Sequence, residues 1–489
     1  LGTEVQGGYE YDGQRYDPRF DHVAPLNECV ACHDPHTLQI DVATCAECHT
    51  EVQQPEDLRN IRLAGSLVDY NGNGRITEPI SAELAGLQET LYQAMRAYAQ
   101  EVSGVPLAYG DRHPYFFVDE NDNGVANEEE NGRYNAWTPR LSKAAYNYQV
   151  VHTDSGGYAH GGKYLIQLLY DSLADLNQAL SKPIDMSAMN RDDHGHFAAA
   201  AAAFRHWDEA GMVPGSCSKC HTAAGLPFFL EQGVNINQAP SGGLNCATCH
   251  TDLSTFTRFT NESVTFPSGA SLSLTAVDEK YGTDSNLCLH CHQGVESTRS
   301  VNSAIGDLPD DEVSPALRFQ NIHYFAAGAS LFGTEAQGGY EYAGQTYVGR
   351  YEHVTDADTC LECHKAHDPA IQPESCGACH RGVKTADDLL AIRQSNTDFD
   401  GDGVVTEGIN GEIETMRERL LQGIQLYAAT QPNTDNIFYD PHNYPYFINE
   451  EGQGYNTWTP RLLRAAYNYQ FAAKDPGGYT HNGAYIMQL

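Results

Sequence analysis

The chain has 489 residues, with 65 Asp and Glu against 29 Lys and Arg, and its formal net charge of −36 excludes a nucleic-acid binder, since nothing in it neutralises a run of phosphates. At 41% hydrophobic and 19% charged residues, with 45 Gly and 29 Tyr, it is too apolar and aromatic for an acidic disordered tail and too rich in glycine for a helical bundle. No stretch approaches the roughly 18 uninterrupted apolar residues of a membrane span, so no transmembrane segment is predicted, and the start at Leu1 implies that any export signal has been removed or lies outside the chain.

In chain order, a Gly- and Tyr-rich segment, Gly2 to Tyr16, leads to His22 and to two copies of a short motif, Cys29-Val-Ala-Cys32-His33 and Cys45-Ala-Glu-Cys48-His49, with His36 between them. Asp69, Asn71, Asn73 and the carbonyl of Arg75 then follow at positions 1, 3, 5 and 7 of an EF-hand calcium loop around Gly74, although Ile80 stands where position 12 needs a carboxylate and Glu83 comes only later. A helix is predicted over 82–102. A fuller loop comes next, with Asp119, Asn121, Asn123, the Val125 carbonyl, Asn127 and Glu130 at positions 1, 3, 5, 7, 9 and 12. The plain alternative for all such segments is that Asn, Asp and Gly simply make turns. A helix over 138–150 has Thr138 as N-cap and Pro139 at its first position, and beyond His160 an amphipathic helix covers 163–180.

The middle of the chain is different. A helix predicted over 197–210 carries His206, and Cys217-Ser-Lys-Cys220-His221 and Cys246-Ala-Thr-Cys249-His250 follow. One or two short hairpins are predicted over 255–277. Cys288-Leu-His-Cys291-His292 comes next, then His323 in an aromatic context. From Gly333 the chain repeats itself: Gly333 to Tyr347 matches Gly2 to Tyr16 at 12 of 15 positions, and Asn456 to Gln470 matches Asn135 to Gln149 at 12 of 15. The repeat carries Cys360-Leu-Glu-Cys363-His364 and Cys376-Gly-Ala-Cys379-His380, with His353, His367 and His481 opposite His22, His36 and His160. Asp398, Asp400, Asp402 and the Val404 carbonyl repeat the first calcium loop, again with Ile at position 12, here Ile409, and with Glu412 following. The chain thus divides into unit A (1–168), unit B (169–331) and unit A′ (332–489), with two, three and two motifs.

All 14 cysteines fall in these seven copies of C-x-x-C-H, the attachment signature of a c-type haem. Two thiols three positions apart form thioethers to the porphyrin vinyl groups, and the adjacent His33, His49, His221, His250, His292, His364 or His380 becomes the proximal iron ligand. A redox dithiol or half a zinc site does not need that histidine, and a disulfide framework has no use for seven identical short pairs. The predicted fold is therefore a multihaem cytochrome c: mostly coil, with scattered α-helices and a few short β-hairpins, organised around seven covalently bound haems c and two or three calcium ions.

Six Met cannot supply seven irons, so both axial ligands are expected to be histidine. The distal candidates are His22, His36, His160, His206, His323, His353, His367 and His481, one more than seven irons require. We expect His160 to serve a haem of unit B and His481, correspondingly, one outside the chain. The chain stops at Leu489, the counterpart of Leu168 inside a helix, so a second B unit or a docking partner is expected beyond it.

The seven motifs, with Cys32-His-Asp-Pro-His36, Trp137-Thr-Pro-Arg-Leu141 and Phe204-Arg-His-Trp-Asp208, resemble over essentially the whole chain the large multihaem cytochromes of dissimilatory metal-reducing bacteria. The resemblance implies an electron-transfer protein with no enzymatic activity, outside the cytoplasmic membrane: extracellular or on the outer cell surface, with the periplasm as alternative. It implies redox partners such as other cytochromes or extracellular acceptors. Some members polymerise head-to-tail into conductive filaments, with a histidine of one subunit ligating a haem of the next, and a homo-oligomeric filament (nanowire) is the leading reading. A soluble periplasmic shuttle is one alternative. A reductase of the nitrite or hydroxylamine type is another, and it would need an open haem, whereas no motif here is altered.

Overall fold

A computed structural model describes all residues except 21, 23–25, 27, 63–65, 67, 128–131, 194–195, 197, 277–280, 355–356 and 368–369. By packing, the chain forms two units, the first comprising Leu1–Arg258 together with His367, the second Phe259–Ala366 and Ala370–Leu489. This division is one of packing, whereas A, B and A′ are segments of sequence.

Three helices build the core of the first unit. Helix α1 (Ile80–Tyr98) buries Leu84, Leu87, Leu91, Ala94, Met95 and Tyr98, an apolar stripe at three- and four-residue spacing. Helix α2 (Pro139–Thr153) starts as expected: Thr138 accepts a hydrogen bond from the Leu141 N–H, and Pro139, with no N–H to satisfy, takes the first position. Helix α3 (Gly157–Asn177) is buried nearly all round through Leu165, Ile166, Leu168, Leu169, Leu173 and Leu176. Its backbone leaves helical geometry at Gly161, so His160 belongs to a separate first turn. The Gly2 to Tyr16 segment is fastened to this core by Asn147, whose Oδ1 accepts from the Tyr9 N–H at 2.6 Å and whose Nδ2 donates to the Tyr9 carbonyl at 2.9 Å.

The second unit has its own trio, α4 (Ile409–Thr430), α5 (Pro460–Ala473) and α6 (Gly478–Gln488). Thr459 caps α5 through the Leu462 N–H, and α6 breaks helical geometry at Asn482, just after His481. Trp458, Phe332, Phe447, Tyr467, Phe471 and Tyr485 fill the core. Asn468, itself buried, pairs with the backbone of Tyr340 in both directions, at 2.6 Å and 2.9 Å.

Strands are few and short. His250–Asp252 pairs with Thr257–Arg258, and Val264–Thr265 with Ser271–Leu272, both antiparallel, in the region where hairpins were predicted. A further hairpin, Leu107–Tyr109 with Phe116–Val118, was not expected, because strands of three residues leave no alternation to read.

Two expectations are corrected. The helix predicted over 197–210 is only Ala202–Arg205. An alanine run has high propensity, but Ala199 and Ala200 are buried without being helical, and only the single turn that ends at Arg205 forms. The chain is also more helical than mostly coil, because six long or buried helices, and not cofactors alone, supply two side-chain cores. Among the described residues, no helix is long and apolar enough to cross a membrane.

Replacing Asn468 by Ala leaves a buried N–H and carbonyl unpaired, which costs about 1–3 kcal/mol. Asn468→Ala is expected to lower the urea midpoint of the second unit's unfolding with an unchanged slope, and an unaltered midpoint would show that this clamp does not stabilise the unit.

Candidate haem sites

In every motif the first cysteine lies on a helical turn: Cys29–Cys32, Val42–Ala46, Gly215–His221, Cys246–Cys249, Ser285–His292, Cys360–Cys363 and Pro373–Gly377. Positions i and i+3 of such a turn share a face, so two thiols can reach one flat partner together. The following histidine closes the turn, its N–H bonded to the first cysteine's carbonyl at 2.9 Å in His33 and His49 and 2.8 Å in His364 and His380. None of the fourteen cysteines is in a disulfide.

The ring nitrogens are equally ordered. A metal-binding histidine commonly donates its other N–H to a carbonyl or carboxylate, which fixes the tautomer and leaves the ligating lone pair exposed. His33, His221, His250 and His292 place Nδ1 at 3.0, 2.9, 2.8 and 2.8 Å from the carbonyls of Leu38, Ala203, Phe256 and Phe325. His160 and His481 instead place Nδ1 against carboxylates, at 2.9 and 3.0 Å from the two oxygens of Asp154 and at 2.9 Å from both oxygens of Asp475. The Asp154 hydrogen bond raises the pKa of His160. Burial pushes His481 down, but the Asp475 charge and hydrogen bond more than reverse it.

Five of the seven motif histidines face a second imidazole at nearly constant distance. Ring centroids are 6.3 Å apart in His33 and His160, 6.3 Å in His22 and His49, 6.3 Å in His250 and His367, 6.5 Å in His364 and His481, and 6.0 Å in His353 and His380. Two metal–nitrogen bonds of about 2 Å, with roughly 1 Å from each nitrogen to its ring centre, require about 6 Å. The residues therefore fit an iron between each pair. At the sixth motif, His206 is close enough to His221 to help burial lower its pKa. At the seventh, the segment bearing His323 is bonded to the proximal histidine's surroundings, through Phe325 O to the His292 ring and Ile322 O to the Val295 N–H at 3.1 Å.

These pairings correct two sequence expectations. His160 faces His33 of its own segment and not a motif of unit B, and His481 faces His364 and not a haem outside the chain. The cause is local: Asp154 and Asp475, six residues upstream, tether each ring to the turn before the helix break, which aims it back at its own segment. His36 is exposed on the turn that follows His33. Of the others, His152 is engaged by Asp111 and Tyr148, and His290 by the Asn261 amide at 2.5 Å. His194 lies outside the described residues.

Neighbouring motifs act on one another. In the first unit Cys32 adds to the burial that raises the Cys45 thiol, and Cys48 adds to the burial that raises Cys246. In the second, a hydrogen bond with Cys288 lowers Cys360, and Cys376 adds to the burial that pushes Cys363 up to about 11. Three motifs of the first unit, at Cys29, Cys45 and Cys246, and the three of the second unit thus lie next to one another.

The three acidic loops differ in charge more than in shape. In each, the first Asp accepts backbone N–H bonds: Asp69 from Gly72 and Gly74, Asp119 from Asn123 and Gly124, Asp398 from Gly401 and Gly403. Around Asp69, the Asn71 and Asn73 amides close on Glu78 at 2.6 and 2.8 Å, and Asn73 Oδ1 accepts from the Arg75 N–H. Beside Asp119, Asn121 and Asn123 make the same turn, with Asn123 Oδ1 accepting from Val125, but the Arg96 guanidinium already lies 3.3 Å from Asp119 and 2.9 Å from Asp122. The Asn127 carbonyl accepts from Arg112, and Glu130 lies outside the described residues. Around Asp398, by contrast, the carboxylates of Asp398, Asp400 and Glu412 come within 4.8 Å of one another, as do those of Asp400, Asp402 and Glu407. Asp402 Oδ1 accepts from the Val404 N–H, while Asp400 Oδ2 is buried without a hydrogen-bond partner. Burial together with Asp402 and Asp400 raises the pKa of Glu407. Glu407 is a candidate ligand that the EF-hand spacing did not single out, because it precedes position 12.

Comparison with known proteins gives distant relatives of one kind. The chain is similar to the C-type polyheme cytochrome OmcB of two Geobacter sulfurreducens strains, 24% identical over 411 residues, covering 70% of this chain and 50% of the relative. It is also similar to the C-type polyheme cytochrome OmcC of Geobacter sulfurreducens, 25% identical over 414 residues, covering 70% of this chain and 49% of the relative. The chain thus spans about half the length of the curated relatives it matches. No family model matches the chain, and no solved structure matches it. The similarity supports a place in the broad class of multihaem c-type cytochromes.

Proposed function

We propose that the chain is an electron conduit carrying seven c-type haems, each with two histidine ligands. The observation that carries this reading is the set of five imidazole pairs at 6.0–6.5 Å, each with one ring from a C-x-x-C-H motif. The pairs extend to a full set: His160 with His33, His22 with His49, His206 with His221, His367 with His250, His323 with His292, His481 with His364, and His353 with His380. A haem bound there supplies a metal that changes charge by one electron with both axial positions filled. The protein's part is to hold each pair of rings, fix their tautomers through Nδ1, and set the motifs in series. Two imidazoles at every iron favour electron transfer over a reductase, which needs an open position. The similarity to polyheme cytochromes supports the same reading. Other cytochromes or extracellular acceptors are the partners, and the location is extracellular or on the outer cell surface. A filament is one form of this conduit, but His481, which first suggested it, is engaged within its own unit.

The purified protein is expected to hold seven haems per chain by haemochrome assay and to show only low-spin iron in electron paramagnetic resonance. A high-spin species in the resting protein would instead favour the reductase.

A carboxylate behind a ligating imidazole makes it a stronger donor and stabilises the ferric state. Asp475→Asn is therefore expected to raise the potential of one haem by tens of millivolts, a tenfold change being about 59 mV for one electron. Seven unchanged potentials in a spectroelectrochemical titration would remove this role.

We also propose calcium at the Asp398, Asp400, Asp402, Val404 and Glu407 loop, with the Asp69 and Asp119 loops weaker or already neutralised by their own amides and Arg96. At about 100 times the dissociation constant, calcium adds roughly 2.7 kcal/mol. The unfolding temperature of the second unit is expected to fall by several degrees in chelator and to recover with calcium, and Asp400→Asn to abolish the difference. A chelator effect that survives Asp400→Asn would place the ion elsewhere.

A further inference from the structure

We propose that Asp17 binds the proton that accompanies an electron onto the haem site of His206 and His221, so that this part of the conduit moves protons with its electrons. The inference rests on the two-histidine reading above and starts from a difference between the two copies of the repeat. Where unit A has Asp17, unit A′ has Val348. The backbone is held alike in both. The Asp17 carbonyl accepts from the Thr3 N–H at 3.0 Å and its N–H donates to Gln167 Oε1 at 2.7 Å, while Val348 makes the same bonds with Thr334 at 2.9 Å and Gln488 at 2.8 Å. Valine serves the fold at this place, yet unit A buries a carboxyl there, with 8% of Asp17 exposed.

A buried carboxylate is costly unless a cation compensates it. Each cation that faces Asp17 or its neighbours already has another partner. Lys163 is bonded to Asp193, and Arg205 pairs with Asp208 at 3.3 Å. Arg191 holds both oxygens of Asp171, at 2.8 and 2.9 Å, and Asp192 at 3.0 Å. Tyr70, fully buried, also faces Asp17, and burial keeps its hydroxyl from ionising. The Gln167 amide donates to Asp17 Oδ1 at 2.8 Å but shares itself with Asp192 at 2.6 Å. Burial, with Asp192 adding to it, raises the pKa of Asp17 against the opposing pull of Lys163, Gln167 and Arg205. Asp17 is thus the surplus carboxyl of the group and the one that takes a proton most readily.

Its connection to an electron site runs through Arg205, the last residue of the turn Ala202–Arg205. The same turn supplies the Ala203 carbonyl that holds His221 Nδ1 at 2.9 Å, and His206 follows it at once. Asp17 therefore faces the element that orients one ligand of this site and carries the other, across an interior that screens charge poorly.

An electron added at that site disfavours a second negative charge nearby and raises the pKa of Asp17 further. Between its values in the oxidised and reduced protein, Asp17 changes state with the iron. One electron from a donor cytochrome converts ferric to ferrous iron, and one proton from water converts the carboxylate to the carboxylic acid; on reoxidation both leave. Asp192, whose side chain is 39% exposed beyond the Gln167 amide, opens this network to water. The sign follows: within that window the potential of this haem falls as the pH rises.

The haem-loaded chain provides the test. Redox-difference infrared spectra are expected to show a carboxylic-acid carbonyl band that grows on reduction and is lost in Asp17→Asn. In spectroelectrochemical titrations at several pH values, one potential is expected to fall with rising pH. That slope is expected to flatten in Asp17→Asn and equally in Asp17→Val, which installs the residue that the repeat itself uses and so guards against a folding defect. A band and a slope that survive both substitutions would place the proton elsewhere. A potential displaced by the same amount at every pH in Asp17→Asn would mean a carboxylate ionised in both redox states. Either result overturns the proposal. Failure of the two-histidine reading would show separately, as high-spin iron in the unsubstituted protein.

Discussion

Two imidazoles brought face to face make an unfavourable contact on their own. Each disfavours protonation of the other, as His380 does at His353 and His250 at His367, where burial already lowers the pKa. Such pairs recur at one spacing, each with its motif histidine next to two cysteines that are in no disulfide, and several rings are locked through Nδ1 to a carbonyl or carboxylate. The gap between the rings is the width of a metal atom with its two bonds. The helical turns, the aspartate tethers and the helix breaks at Gly161 and Asn482 all serve to hold that gap open.

The two side-chain cores explain how such gaps stay fixed in a chain with little sheet. Asn147 and Asn468 fasten the Gly- and Tyr-rich segments to helices more than 120 residues away in sequence, 138 and 128 positions respectively. The histidines then hang on short turns anchored to rigid helices. Cofactors need not supply the whole core, which accounts for more helix than a thin sleeve around haems would contain.

What could be read from the sequence follows from how local each signal is. The C-x-x-C-H motifs, the Thr138 and Thr459 caps and the amphipathic stripes of α1 and α3 are settled within a few residues, and they were legible. Distal ligands are tertiary contacts. Repeat logic nominated His22, His353, His160 and His481, each of which lies 6.0–6.5 Å from a motif imidazole, but counting ligands per segment pointed His160 and His481 away from the rings they face, because the repeat does not announce that Asp154 and Asp475 turn those rings back. The helix expected over 197–210 misled for the opposite reason: its propensity was visible, but that Ala199 and Ala200 are buried outside helical geometry was not. In the acidic loops, spacing ranked Asp119 alongside Asp398, whereas Arg96 pairs with Asp119 itself and Arg393 pairs with Glu412, beside the Asp400, Asp402 and Glu407 cluster.

The repeated Asp–His tethers differ in one respect that sequence identity conceals. The Asp154 side chain is 25% exposed and that of His160 48%, while Asp475 and His481 are at 2% and 24%. The same carboxylate acts through water in one copy and through protein in the other, and its field is weakly screened only in the second. The repeated pair of tethers is thereby made electrostatically inequivalent by burial, a difference that the matching residues themselves do not announce.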